Sequence, residues 1–104
     1  MKKNTLFIGL NDKDTKTQIL TDEQARNIII AAACEYVGGV TLSDAYGVYT
    51  HANGERVIEH TITGTIYDGD DDAIKAMIKE LLVALNQESI INEQSDVNSE
   101  FVTL

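Results

Sequence analysis

The hydrophobic positions of this chain fall into blocks of different period. Thr5 to Leu10 is a short, nearly unbroken apolar run, the pattern of a central strand flanked on both sides. Asn11 to Gln18 is polar throughout and reads as a loop. Ala25, Ile28, Ile29, Ala32, Ala33 and Tyr36 then recur at helical spacing. Ahead of them Thr21-Asp22-Glu23-Gln24 fits a capping box, with the Thr21 hydroxyl accepting an N–H of the first turn and Gln24 reaching back. Gly38 supplies a left-handed stop. Val40 to Tyr67 is rich in Val, Ile, Thr and Tyr and is broken by His51-Ala52-Asn53-Gly54, which predicts a hairpin. Ile74, Met77, Ile78, Leu81, Leu82 and Leu85 mark a second helix over Ala73 to Leu85, and Ser89 to Glu93 reads as a last strand.

Parity sets the register of the hairpin. Val40, Leu42, Asp44, Tyr46 and Val48 lie on one face of the first strand, and Ile58, His60, Ile62, Gly64 and Ile66 on one face of the second. Both sets read as core faces, and directly opposed residues share a face. A two-residue loop at Asn53-Gly54 pairs even with odd positions and splits the sets. A three-residue loop, Ala52 to Gly54 with Gly54 left-handed, keeps them together and pairs His51 with Glu55. Tyr46 then opposes His60 and Val48 opposes Ile58. The other face is small and hydroxyl-rich: Thr41, Ser43, Ala45, Gly47 and Tyr49 against Val57, Glu59, Thr61, Thr63 and Thr65.

The order β-α-β-β-α-β predicts an α+β, ferredoxin-like fold, a four-stranded antiparallel sheet with two helices on one face and right-handed crossovers. Residues 1–104 read as a single domain. Residues 95–104 form a C-terminal extension suited to pairing across a subunit boundary. The sheet face left open by the helices makes a homo-oligomer the default expectation.

Charge narrows the partners. Lysine and arginine number 8 against 17 aspartates and glutamates, a formal net charge of −9. Direct nucleic-acid binding, which needs a basic surface, is not expected. The run Asp68-Gly69-Asp70-Asp71-Asp72 lacks the spacing and terminal glutamate of a calcium loop. It reads as a cap and dipole partner for the second helix, with no metal. Cys34, the one cysteine, is expected to be a small buried apolar residue in a reducing compartment. The longest apolar run, Ile28 to Cys34, falls far short of the ~20 residues of a membrane span, and with Met1-Lys2-Lys3-Asn4 leading straight into a strand no signal peptide is expected. The expected location is the bacterial cytoplasm, away from membranes.

Several stretches together resemble an uncharacterised family of short bacterial and phage-encoded proteins, a domain of unknown function. They are Thr5-Leu6-Phe7-Ile8-Gly9, Leu42-Ser43-Asp44-Ala45-Tyr46-Gly47, the turn Asn53-Gly54 and Gln87-Glu88-Ser89-Ile90. The resemblance spans about residues 5–102. It implies one ferredoxin-like domain and a phage or prophage setting, and brings no catalytic residues.

Two constellations carry the candidate chemistry. Asp44, Tyr46 and His60 converge in the chosen register, and an Asp–His pair is able to fix an imidazole tautomer and shift its pKa. Tyr49, His51, Asn53 and Arg56 gather at the turn end, where Arg with aromatic and amide neighbours suits a phosphate or base plane. No activated nucleophile accompanies either group. The expectation is a non-enzymatic, phage-encoded small-molecule-binding protein without a cofactor, which oligomerises and sequesters an anionic, nucleotide-like immune-signalling ligand as an anti-defence device. The alternatives are an acidic inhibitor of a host nucleic-acid-handling or defence protein, and a dimeric α-β barrel-like enzyme with Asp44 and His60 as its acid–base pair.

Overall fold

The structure, a computed structural model, describes residues 1–50 and 52–104. Its elements are β1 (Lys2–Gly9), α1 (Asp22–Tyr36), β2 (Thr41–Thr50), β3 (Arg56–Tyr67), α2 (Asp71–Ala84) and β4 (Ile91–Asp96). The four strands form one sheet in the order β2-β3-β1-β4, with every neighbouring pair antiparallel. This is the ferredoxin-like α+β arrangement.

Local chemistry explains where each helix begins. Thr21 accepts the Gln24 N–H at 3.1 Å, and the Gln24 side chain accepts the Thr21 N–H at 2.9 Å, so the capping box is complete. Asp70 caps α2 by accepting the Ala73 N–H at 3.0 Å, which leaves Asp71 and Asp72 in the first turn. Gly38 follows the last turn of α1 with φ +81°.

Alternation in β1 turns Asn4, Leu6 and Ile8 toward the helices. They join Ile62 and Ile66 of β3, Ala25, Ile29, Ala32 and Ala33 of α1, and Ile74, Met77 and Leu81 of α2 in one core. Asn4 is the polar member. Its Nδ2 donates to Asn92 Oδ1 at 2.9 Å, while its own Oδ1 is buried without a hydrogen-bond partner.

The hairpin register follows the parity argument. Val48 pairs with Ile58, Tyr46 with His60 and Asp44 with Ile62. Gly54 is left-handed at φ +87°, and Gly47 pairs in line with Glu59, without a bulge. His51, and with it the expected pairing to Glu55, lies outside the described residues.

Three expectations need correction. Val48, Ile58 and Tyr46 are not core: they are 60%, 65% and 73% exposed. The hairpin outruns the helices, and only its base reaches the core, through Val40, Leu42, Ile62 and Ile66. The molecule is accordingly elongated, 53 × 24 × 24 Å, with a radius of gyration of 14.7 Å against about 13 Å for a compact chain of this size. Cys34 is exposed. It sits one residue past Ala33, about 100° around α1 from the buried stripe. The last strand begins two residues later than predicted and runs to Asp96, because β1 starts at Lys2 and offers partners as far as Lys2↔Asp96. Val97 and Met1 then exchange backbone hydrogen bonds, so the start of the expected extension pairs within its own chain. Among the described residues, no helix is long and apolar enough to cross a membrane.

Candidate functional site

The structure sends the predicted site residues to different places. Asp44, Tyr46 and His60 meet on the helix-side face. His60 Nε2 lies 2.9 Å from Asp44 Oδ1, and His60 Nδ1 lies 2.8 Å from Asp22 Oδ1 at the first turn of α1. The Tyr46 ring leans on the imidazole at 5.4 Å between centroids, and Arg26 stands 3.9 Å from Asp44. The imidazole is only 12% exposed. Burial pushes its pKa down, but the hydrogen bonds and charges of Asp22 and Asp44 outweigh burial and raise it. The Gln18 amide and then the imidazole hold the Asp22 carboxyl below its usual range. With a carboxylate on each ring nitrogen, the imidazole has no position left for proton transfer to a substrate. The cluster ties the hairpin to α1.

Asn53 and Arg56 are exposed at the far end of the hairpin, where Asn53 Oδ1 accepts the Glu55 N–H at 2.9 Å and shapes the turn. Arg56 has the parity of Ile58, whereas Tyr49 has that of Val57 and belongs to the open face. The expected grip of Tyr49 with Arg56 is therefore divided between two faces of one ribbon.

A hollow on the open face has better credentials. Its centre is Glu59, half-buried on β3. Gly47 pairs with Glu59 on the β2 side, and Gly9 ends β1 on the other. The Glu59 carboxylate lies over Gly9, where a methyl group would sit 2.7 Å from Oε2. The same Oε2 accepts the Asn11 N–H at 2.9 Å. Two clefts share Glu59, Gln87 and Ser89 in their walls. One, of about 350 Å³, runs toward Tyr49, Lys13 and Lys16; the other, of about 370 Å³, runs over Gly9 and Gly47 toward Phe7 and Ile91. Each is of small-molecule size. His60 is in the wall of neither.

The loop that forms one rim is braced. Asp12 Oδ2 accepts the N–H groups of Asp14 and Thr15, each at 3.0 Å, and Asn86 Nδ2 donates to Asp12 Oδ1 at 2.7 Å. The Asn86 amide, followed by the Thr15 N–H, holds the Asp12 carboxyl below its ordinary range. Buried Gln87 donates to the Asn11 carbonyl at 2.7 Å. Lys16 and Asn86 both take up positive φ, +63° and +46°. Such backbone, which non-glycine residues rarely adopt, is here held by the surrounding bonds. Among the described residues, no three His, Cys, Asp or Glu side chains gather as metal ligands.

Sequence reasoning passed over Glu59. Part of the signal was present: among the described hairpin residues from Thr41 to Tyr49 and Val57 to Thr65 on the hydroxyl-rich face it is the one carboxylate, and it stands opposite Gly47.

No family model matches the chain, and no curated protein matches it. Solved structures do. A phage SAM lyase in complex with S-methyl-5'-thioadenosine is 27% identical, covers 91% of this chain and 80% of its own, and superposes with a TM-score of 0.69. A phage SAM lyase in the apo state is 25% identical over 90% of this chain and 78% of its own, with a TM-score of 0.66. The PII-like protein CutA from Nostoc sp. PCC 7120 in apo form shares the fold alone, at 17% identity, 94% and 82% coverage and a TM-score of 0.51.

Proposed function

We propose that this chain binds S-adenosylmethionine (SAM), an adenosyl sulfonium, in the hollow around Glu59, and breaks its carbon–sulfur bond to leave methylthioadenosine. The observation that carries the reading is the half-buried Glu59 shared by two clefts, in a chain similar along nine-tenths of its length to a phage SAM lyase. Electrostatics favours this ligand class over the anionic nucleotide expected at first. The half-buried charge is a carboxylate, the chain carries a net −9, and a sulfonium ligand brings positive charge where a phosphate brings negative. Heterolysis of the bond leaves the electron pair on sulfur and turns a sulfonium into a neutral thioether, while the carbon that loses sulfur is taken by the ligand's own α-carboxylate, which closes a five-membered lactone, so that no further reactant is needed. A carboxylate paired with the sulfonium alone stabilises the ground state and raises affinity without raising the rate. Glu59 is therefore assigned to binding and orientation of the ligand, and Tyr49 to the wall beside it.

Homo-oligomerisation belongs to the same proposal. Tyr46, Val48 and Ile58 form an exposed apolar patch on the projecting hairpin, and Phe7 and Ile91 lie on the uncovered sheet face. Further copies of the chain are proposed to cover them.

The test is chromatography of SAM incubated with the purified protein, run beside Glu59→Gln. Release of methylthioadenosine that falls with the variant supports the reading. Saturable binding of SAM without turnover reduces the function to sequestration, the non-enzymatic form. Neither binding nor turnover overturns it.

A further inference from the structure

We infer that Lys13 and Lys16 hold the α-carboxylate of the sulfonium amino acid, so that the cleft recognises its ligand by opposite charges on two elements, the loop and β3. The inference rests on the sulfonium reading and goes on to name what selects within that class.

Among the described residues, Lys13 and Lys16 are the two cations in the wall of the cleft that also holds Tyr49, Val57 and Glu59. Asp12, Glu59 and Glu88 share that wall, and Asp14 lies beside Lys13 in sequence, where its Oδ2 accepts from Asn86 Nδ2 at 3.0 Å. Asp12 is already engaged by the Asn86 amide and by the N–H groups of Asp14 and Thr15. Glu59, on β3, is held by the Asn11 N–H at the start of the same loop. Glu88 is exposed.

The lysines are on a loop whose backbone is fixed at several points. Lys13 N–H donates to the Asn86 carbonyl at 3.0 Å, Lys16 N–H donates to the Asp12 carbonyl at 2.8 Å, and Asp12 N–H donates to the Thr17 carbonyl at 2.8 Å. The left-handed turn at Lys16 is held by those bonds. A rigid loop presents its charges at lower entropic cost than a mobile one. On an acidic chain, two lysines beside a cleft built around a carboxylate fit a ligand that carries both a cationic centre and a carboxylate. A sulfonium amino acid carries both, with an α-ammonium beside the carboxylate.

The experiment uses two uncleavable thioethers that differ in the carboxylate alone, S-adenosylhomocysteine and its decarboxylated analogue S-adenosyl-3-thiopropylamine. Titration calorimetry on the full chain gives the affinity ratio, and SAM cleavage is measured on the same preparations. The wild-type protein is expected to prefer S-adenosylhomocysteine. Lys13→Ala/Lys16→Ala should weaken that ligand about fivefold and leave the decarboxylated analogue unchanged, an effect of the size of partly exposed charge pairs. Lys75→Ala/Lys79→Ala, the same charge change on α2, should leave the ratio as it was. An unchanged ratio in the loop variant, with SAM still cleaved, overturns the inference and leaves the lyase reading standing. Wild-type protein that neither binds the thioethers nor cleaves SAM overturns both.

Discussion

His60 of β3 and Asp22 of α1 face each other at 2.8 Å, Nδ1 to Oδ1, across a sequence separation of 38 residues. The other ring nitrogen is taken by Asp44 at 2.9 Å. Both contacts are hydrogen bonds at once only when the ring carries both protons. The folded pKa of His60 is raised, so its contribution to stability is complete below the ordinary imidazole value of about 6.5 and is lost as pH rises through the folded value. Asp22 works in the opposite sense: its pKa is lowered, and its contribution disappears as acid protonates it. Thermal melts from pH 5 to 9 should show stability falling on the alkaline side, and the fall should be absent in His60→Phe. Melting temperatures that follow the same pH curve in both proteins would remove the joint from the account of stability.

Gly9 leaves room for the Glu59 carboxylate. Gly9→Ala should push Glu59 aside, break its contact with the Asn11 N–H and reduce cleavage at sub-saturating SAM by as much as about a hundredfold, through weaker binding and poorer orientation of the ligand. Stability should change little, because the displaced atoms end a flexible side chain. A double-mutant cycle with Glu59→Gln measures the coupling, and additive losses would sink the idea.

Gly69 is different, since its obstruction is core. A methyl group there would meet Ile74 Cδ1 at 2.8 Å and Ile66 Cγ2 at 3.0 Å. Gly69→Ala should destabilise the fold by about 1–3 kcal/mol through overpacking at the entry to α2, as read from urea unfolding.

The exposed hairpin patch tests assembly. Val48→Lys with Ile58→Lys should leave the fold intact, because neither side chain enters the core. Sedimentation velocity should show the variant at lower mass than the wild-type protein. Equal mass for both would remove the hairpin from any interface between copies.

The fold was legible wherever one local rule decided the outcome. The Thr21–Gln24 box, an aspartate cap on α2, the left-handed Gly38 and the parity of the hairpin are short-range chemistry, and each appears in the structure as read. Burial was legible only where helices cover the strands. Val48 and Ile58 alternate as core residues do, but no hydrophobic pattern states that α1 and α2 stop short of them. The same blind spot drew attention to His60, whose aromatic and acidic neighbours are conspicuous in sequence. Glu59 depends on Gly9, a residue fifty positions away on a different strand, and its value appears only when β1 lies beside β3.

The central place of β1 also governs the order of assembly. It precedes both of its neighbours, β3 and β4, in sequence, and its closing contact joins Met1 to Val97, 96 positions apart. Leu6 and Ile8 therefore stay without a sheet partner until β3 has been made, and Leu6 lacks its second, Asn92, until β4 follows. Loop closures of that length dominate the folding barrier, so refolding should be slow for a domain of this size, and a ribosome-bound chain ending before β4 should still lack a completed sheet.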